Sequence, residues 1–254
     1  MDRLKNKIAV VTGGTSGIGL ATAKEFIAQG AKVVISGRHQ QAIDSTVEKL
    51  GSNALGILSD AAKVDQTKAM AEKVKAAYGR VDILFINAGI FHPTPVGQIT
   101  EESFDEQVTI NFRGALFTLE KFLPVMPDGA SVIFLSSINA FTGMPNTAVY
   151  AACKAAINSY TRTASTELAP RKIRVNSINP GPMDTPFVEK SGLSKQDADN
   201  VNSSLANRIP LKRLGKPEDV AKLAAFIASD DASFITGVEY LIDGGLNVNS
   251  VFPV

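Results

Sequence analysis

Short apolar runs alternate with longer amphipathic stretches along the whole chain. The runs at 8–11, 33–35, 55–58, 83–86, 132–135, 173–178 and 238–242 are rich in Val and Ile and bounded by Gly or polar residues. Runs of that length and make-up predict strands. Several are apolar on both faces, as strands of a covered parallel sheet must be. Between them, 17–29, 40–50, 63–78, 101–123, 148–168 and 217–228 read as helices. In the first, Ile18, Ala21, Phe26 and Ile27 recur at helical spacing, while Lys24, Glu25 and Gln29 face solvent. Gly30 marks its end. Pro217, followed by Glu218 and Asp219, marks the start of the last, where proline lacks only a donor the helix does not use and acids suit the dipole. Strand–helix alternation predicts an α/β fold with right-handed crossovers.

No linker, repeat or low-complexity segment divides residues 1–254, so one domain is expected. The rhythm breaks only at 180–215. This stretch opens Pro180-Gly181-Pro182 and carries Asp, Asn and Ser clusters around 191–204. A long late insertion in a compact domain is usually functional. A polar, flexible lid over about 183–211 is expected, with Met183, Phe187 and Val188 closing on a ligand.

Composition narrows the function classes. The net charge is 26 − 25 = +1, apolar residues make up 44% and charged residues 20% of the 254. These values suit a globular protein and speak against disorder or a dedicated nucleic-acid binder. Cys153 is the single cysteine, which excludes an intrachain disulfide framework and a multi-cysteine zinc site. His39 and His92 form no H-E-x-x-H pair, so no metal is expected. No apolar run approaches the ~18 residues that span a bilayer. The opening residues show no signal-peptide pattern. A soluble, cytoplasmic protein without membrane partners is the expectation.

The first strand runs into Thr12-Gly13-Gly14-Thr15-Ser16-Gly17-Ile18-Gly19. Glycines let the backbone approach a ligand, and the following helix aims free N–H groups at a phosphate. Gly13, Gly17 and Gly19 are spaced G-x-x-x-G-x-G, unlike the usual G-x-G-x-x-G, yet strand before and helix after favour dinucleotide binding. Leu20 stands where a P-loop needs lysine. Fold and loop together describe a single-domain Rossmann-type, doubly wound parallel sheet of seven strands with helices on both faces.

Further motifs follow in order: Asn87-Ala88-Gly89 after the fourth strand, Asn111 in the next helix and Ser137 after the fifth strand. Tyr150-Ala151-Ala152-Cys153-Lys154 comes next, then Pro180-Gly181 after the sixth strand and Thr185 just beyond. In this order and spacing the chain resembles the single-domain branch of the short-chain dehydrogenase/reductase family over nearly its whole length. The resemblance implies a catalytic set of Asn111, Ser137, Tyr150 and Lys154, with Asn111 holding a water that links Lys154 to solvent. It implies a cofactor site of Gly13, Thr15, Ser16, Gly17, Ile18, Gly19, Arg38, His39, Asp60, Ala61, Asn87, Ala88, Gly89, Tyr150, Lys154, Pro180, Gly181, Met183 and Thr185. Within it, Asp60 would touch the adenine or be a simple loop aspartate, and Pro180, Gly181 and Thr185 would cover the carboxamide. It also implies a homotetramer.

The chemistry of the pair can be argued from the residues. Tyr150 and Lys154 lie four apart on a helix and share a face. A nearby ammonium should lower the phenol pKa from about 10 and fit it for acid–base work. Ser137, beyond a strand end, is placed to hydrogen-bond a substrate oxygen. The second strand ends Ser36-Gly37-Arg38-His39 with no acid before Asp44. Arginine there suits the 2′-phosphate of NADP(H) better than the ribose of NAD(H), although Ser16 stands where many NADP-preferring relatives carry a second basic residue. Cys153 has no histidine nearby to activate it and reads as a packing residue. His92 borders the substrate pocket or is a plain loop residue. Phe141 and Met144 supply a pocket wall or pack in the core.

The leading expectation is an NADP(H)-dependent carbonyl reductase or secondary-alcohol dehydrogenase acting on a small ketone or alcohol. A reductase of 3-ketoacyl thioesters on a carrier protein is the alternative. It is weakened because 123–130 lacks basic residues, though Arg171 and Lys172 lie elsewhere. A non-catalytic NADP sensor is a third reading.

Overall fold

The computed structural model describes residues 2–185 and 195–248. Seven strands form one sheet: β1 (Ile8–Val11), β2 (Lys32–Gly37), β3 (Ala54–Leu58), β4 (Ile83–Ile86), β5 (Ser131–Leu135), β6 (Arg174–Pro180) and β7 (Glu239–Ile242). Their order is β3-β2-β1-β4-β5-β6-β7, and every pairing is parallel. The chain thus starts at the centre, winds out to β3, then returns across β1 to wind out to β7. Ligand sites in such sheets lie at the strand ends where the winding reverses, here between β1 and β4.

Alternate side chains of the central strands enter two separate cores. Ile8, Val10, Leu84, Ile86, Val132 and Phe134 face one, beside Met70, Val74, Leu119, Phe122 and Ile157. Ala9, Val11, Ile83, Phe85 and Ile133 face the other, beside Ala23, Phe26, Val220 and Ala224. This period of two, apolar on both faces, is why β1 and β4 read as unbroken apolar runs. Helices α1 (Gly17–Ala28) and α8 (Pro217–Ala228) cover one face. Helices α3 (Val64–Tyr78), α5 (Ala115–Phe122) and α6 (Ala148–Leu168) cover the other, while α2 (Gln40–Leu50) packs on β2 and β3. The Asp219 carboxylate accepts from the Lys216 N–H at 2.8 Å and caps α8 at Pro217.

Two expected elements differ. The stretch 101–123 is not one helix: α4 (Glu101–Val108) passes through a π-helical turn at Thr109–Gly114 into α5. Such a turn inserts an extra residue and re-aims the side chains on it, and it recurs at functional sites. Here it carries Asn111, buried and turned onto the loop after β4. The expected flexible lid at 183–211 contains α7 (Lys195–Arg208). Its last turn is anchored by the buried Ile209, whose N–H donates to Leu205 and Ala206 carbonyls. Phe187 and Val188 lie outside the described residues. No helix among the described residues is long and apolar enough to cross a membrane.

Candidate active site

Because all strands are parallel, the segments that follow them converge on one edge of the sheet. The sequence-derived residues lie on these segments. Gly13, Thr15 and Ser16 follow β1; Arg38 and His39 follow β2; Asp60 and Ala61 follow β3; Asn87, Ala88 and Gly89 follow β4; Ser137 follows β5; Gly181, Met183 and Thr185 follow β6. Gly17, Ile18 and Gly19 open α1 and Pro180 ends β6.

The loop after β1 is built for close approach. Gly13 has φ +64°, a left-handed conformation that side chains disfavour. A Cβ on Gly19 would overlap the Gly13 carbonyl oxygen and lie 2.7 Å from Asn87 Nδ2. That amide braces the loop, donating to the carbonyls of Thr12 at 2.9 Å and Gly13 at 3.1 Å. In return Thr12 Oγ1 accepts from the N–H groups of Asn87 and Ala88 at 2.9 and 3.1 Å. The β1 and β4 loops are therefore locked across the point where the winding reverses. Ser16 precedes α1 but places no side-chain oxygen on its first N–H groups, leaving the helix start for an anion. The methyl of Thr185 lies over Gly17, 3.8 Å from where a Cβ would stand. These features fit the diphosphate of a dinucleotide.

Beyond β2, Arg38 and His39 are exposed, and Arg38 makes no hydrogen bond or ion pair among the described residues. Asp60 Oδ1 accepts from the Ala62 N–H at 3.0 Å, so the aspartate organises its own loop. Met183 packs into one core and its sulfur and methyl press on Gly215, while its backbone bridges that residue.

The catalytic candidates meet at the β5 edge. Ser137 is buried, caps a turn of 3₁₀ helix at Ile138–Ala140 and accepts there from the Asn139 N–H at 3.1 Å. It also hydrogen-bonds the Tyr150 side chain. Lys154, one turn along α6, lies with Nζ 5.4 Å from the centre of the Tyr150 ring and donates to the Leu135 carbonyl at 2.8 Å. Asn111 is buried and both ends of its amide are taken by Ile90, accepting from its N–H at 2.8 Å and donating to its carbonyl at 2.9 Å. A Cβ on Gly89 would sit 2.9 Å from Asn111 Oδ1 and 3.8 Å from Lys154 Nζ, so both groups reach the space that a side chain at 89 would fill.

The electrostatics correct one expectation. Burial pushes the Tyr150 phenol up to about 12, and the Ser137 hydrogen bond offsets only part of this. The lowering expected from the Lys154 ammonium does not prevail. Lys154 is itself driven down to about 8 by burial. Both groups resist charge because folding withdraws their ionisable ends from water, although Tyr150 as a whole is half-buried.

Several participants escaped sequence reasoning. Thr12 is one. Ser136 Oγ donates to the Lys154 carbonyl at 2.9 Å and pins α6 to β5. Phe91 stands edge-on to Tyr150 with ring centres 5.4 Å apart. The only available signal for these was adjacency to a motif. Phe141 and Met144 are 45% and 40% exposed, so they are not core residues. His92 Nε2 lies 3.1 Å from the Glu106 carboxylate, and Cys153 is buried with its thiol toward the Gln107 carbonyl.

A family model described as Enoyl-(Acyl carrier protein) reductase matches residues 13–247. An oxidoreductase of Sarocladium schorii is 40% identical over 248 residues, covering 97% of this chain and 98% of that protein. A 3-oxoacyl-(acyl-carrier-protein) reductase of Thermotoga maritima is 36% identical, covering 96% of this chain and 99% of its own. An NADP-dependent (R)-specific alcohol dehydrogenase of Lentilactobacillus kefiri is 34% identical over 96% of this chain and 98% of its own. The crystal structure of a short-chain dehydrogenase/reductase of Brucella melitensis, described as glucose/ribitol dehydrogenase, superposes with a TM-score of 0.91 at 32% identity. It covers 96% of this chain and 98% of that one. With the glycine cradle at β1 and the Ser–Tyr–Lys cluster at β5 on one sheet edge, these likenesses make the chain a member of the short-chain dehydrogenase/reductase family of oxidoreductases, which use nicotinamide cofactors.

Proposed function

We propose that this oxidoreductase reduces ketones, or oxidises secondary alcohols, with NADP(H). The observation that carries the reading is the meeting of half-buried Tyr150 with buried Ser137 and Lys154, beside the glycine cradle. The cofactor, when bound, supplies or accepts the hydride. Tyr150 gives its phenolic proton to the substrate oxygen in reduction and takes it back in oxidation. Ser137, already bonded to Tyr150, orients that oxygen. Lys154 holds the ribose next to the nicotinamide and supplies positive charge beneath the phenol. Asn111 fixes the segment after Gly89. Arg38, exposed and uncommitted at the end of β2, meets the 2′-phosphate.

Exposed Phe141 and Met144, near Ser137 in sequence, favour compact apolar or aryl ketones over charged sugars. Residues 183–211 are proposed to close over such a substrate, and the family's tetramer is proposed for the assembly. The experiment is an NADPH binding titration beside turnover on a panel of ketones, a charged sugar and a 3-ketoacyl thioester. Binding without turnover would mean a sensor. Preference for the thioester would favour the carrier-linked reaction of the Thermotoga maritima relative. Against that outcome stands Arg171, whose guanidinium is taken by the Leu123 and Met126 carbonyls and by Asp128 and is not free for an acidic carrier.

A further inference from the structure

Phe91 meets the Tyr150 ring edge-on, with centres 5.4 Å apart and planes at 82°. It sits in the loop after β4, and the peptides on both sides of it are held from α4 and the π-helical turn that continues it. Asn111 grips Ile90 through both its N–H and its carbonyl. Gln107, four residues earlier, accepts from the His92 N–H through Oε1 at 3.2 Å. Both amides are buried, Gln107 at 0% exposure and Asn111 at 1%. Farther along, the Thr94 N–H donates to the Asn146 carbonyl at 2.8 Å, and Thr94 Oγ1 accepts from the Val149 N–H at 3.2 Å. The loop is thereby tied to the start of α6, the helix that bears Tyr150.

Gln107 is a costly residue for its place if packing were its only role. Its Nε2 has no hydrogen-bond partner among the described residues, and an unpaired buried donor lowers stability. Leucine or methionine would fill the volume without that cost. What neither supplies is the acceptor for the His92 N–H.

We propose that Gln107 is a positioning residue for Tyr150: together with Asn111 it clamps the loop on either side of Phe91 and so holds that ring against the phenol. The inference rests on reading Tyr150 as the proton donor. An edge-on ring limits the rotation of its neighbour and keeps water from one side of it. The other groups that act on the phenol are Ser137, through its hydrogen bond, and Cys153. Lys154 stands over the ring. Phe91 supplies apolar cover, and burial is what holds the phenol above its ordinary range. Loosening Phe91 should therefore admit water and let the proton leave at lower pH.

The test uses the full chain with NADPH and the best ketone of the panel. Gln107→Met and Phe91→Leu are each expected to lower kcat about two- to twelvefold, the range of an aromatic pair. Both should move the Tyr150-dependent inflection of kcat/KM to lower pH and leave NADPH affinity within about twofold. Phe91→Tyr keeps the ring and should restore both kcat and the pH profile. In a Phe91→Leu background, Gln107→Met should add less than about twofold, because it acts through the same ring. A lower melting temperature with unchanged kcat and pH profile would overturn the proposal and leave Gln107 a filler. Effects that multiply in the double variant would overturn it too. Native kcat and pH profile in Phe91→Leu would do so even if Gln107→Met failed to fold. Tyr150→Phe is the separate arm: native turnover there removes the donor reading itself, whereas lost turnover there with an unaffected Phe91→Leu removes only the clamp.

Discussion

Asn158 Nδ2 donates to Asn179 Oδ1 across 2.9 Å and joins α6 to β6 inside the protein. Ser177 closes a ring, donating to Asn158 Oδ1 at 3.1 Å and accepting from Asn179 Nδ2 at 3.3 Å. All three residues are buried. The ring lies one turn beyond Lys154 on α6 and immediately before Pro180 on β6. It therefore ties the helix bearing the proposed proton donor to the strand that leads into the turn proposed to cover the nicotinamide. Asn158→Leu leaves the Ser177 O–H without its acceptor and Asn179 Oδ1 without its donor, while Asn179 Nδ2 still donates to Ser177. A loss of about 1–3 kcal/mol is expected from an unpaired buried group of this kind. Urea unfolding measures it, and a stability equal to the native chain's would show that the ring does not brace the two elements.

Tyr150→Phe keeps the ring that packs against Phe91 and removes only the hydroxyl bonded to Ser137. Turnover should fall about 10²- to 10⁴-fold, the usual worth of general acid–base catalysis. NADPH binding, followed by fluorescence, should stay within about threefold, because the glycine cradle is untouched. Turnover within about threefold of native would take the acid role away from Tyr150.

Much of this was legible along the chain. The strands at 8–11 and 83–86 coincide with β1 and β4, since an apolar run on both faces of a covered sheet needs no distant information. The convergence of the loops followed from strand–helix alternation. What the sequence withheld depends on contacts between remote segments. The π-helical turn places Asn111 on Ile90, 21 residues away in the chain, and no periodicity in 101–123 encodes that partner. Helix α7 was hidden by a polar composition that suits loops, and the buried anchor Ile209 lies just beyond its end. The Tyr150 pKa went the other way because spacing reveals a neighbouring ammonium but not how far folding removes the phenol from water.

Lys154 makes stability depend on pH in a window of its own. Its folded pKa is about 8, below the 10.5 of the free side chain. Below pH 8 both states hold the proton and the folded state carries the full cost of a buried ammonium. Between about 8 and 10.5 the unfolded chain keeps a proton that the folded chain has lost, so this contribution rises with pH. Tyr150 acts oppositely and later: its folded pKa of about 12 against 10.0 lowers stability above pH 10. Urea unfolding at pH 8 and pH 10 should show the native chain gaining up to about 2–3 kcal/mol relative to Lys154→Met. Equal gains in both proteins would mean that Lys154 is not held down by burial.

The end of β2 tests the proposed cofactor. Gly37 is half-buried there, and a Cβ on it would stand 3.3 Å from the Thr15 methyl, so a new side chain at 37 would press on the loop after β1. Arg38 is exposed beside it. In the double variant Gly37→Asp with Arg38→Leu, a carboxylate repels the 2′-phosphate while the phosphate loses its guanidinium. Loss of one charge-assisted hydrogen bond is worth about 1.5–3 kcal/mol, roughly ten- to a hundredfold in preference. The ratio of kcat/KM with NADPH to that with NADH should fall by at least that factor. Arg38→Leu alone should weaken NADPH and leave NADH nearly unchanged, because the ribose hydroxyls of NADH carry no charge for the guanidinium to meet. A native enzyme that already works better with NADH would refute the assignment before any variant is made. Equal weakening of both cofactors by Arg38→Leu would assign the arginine to the adenine ring instead of the phosphate.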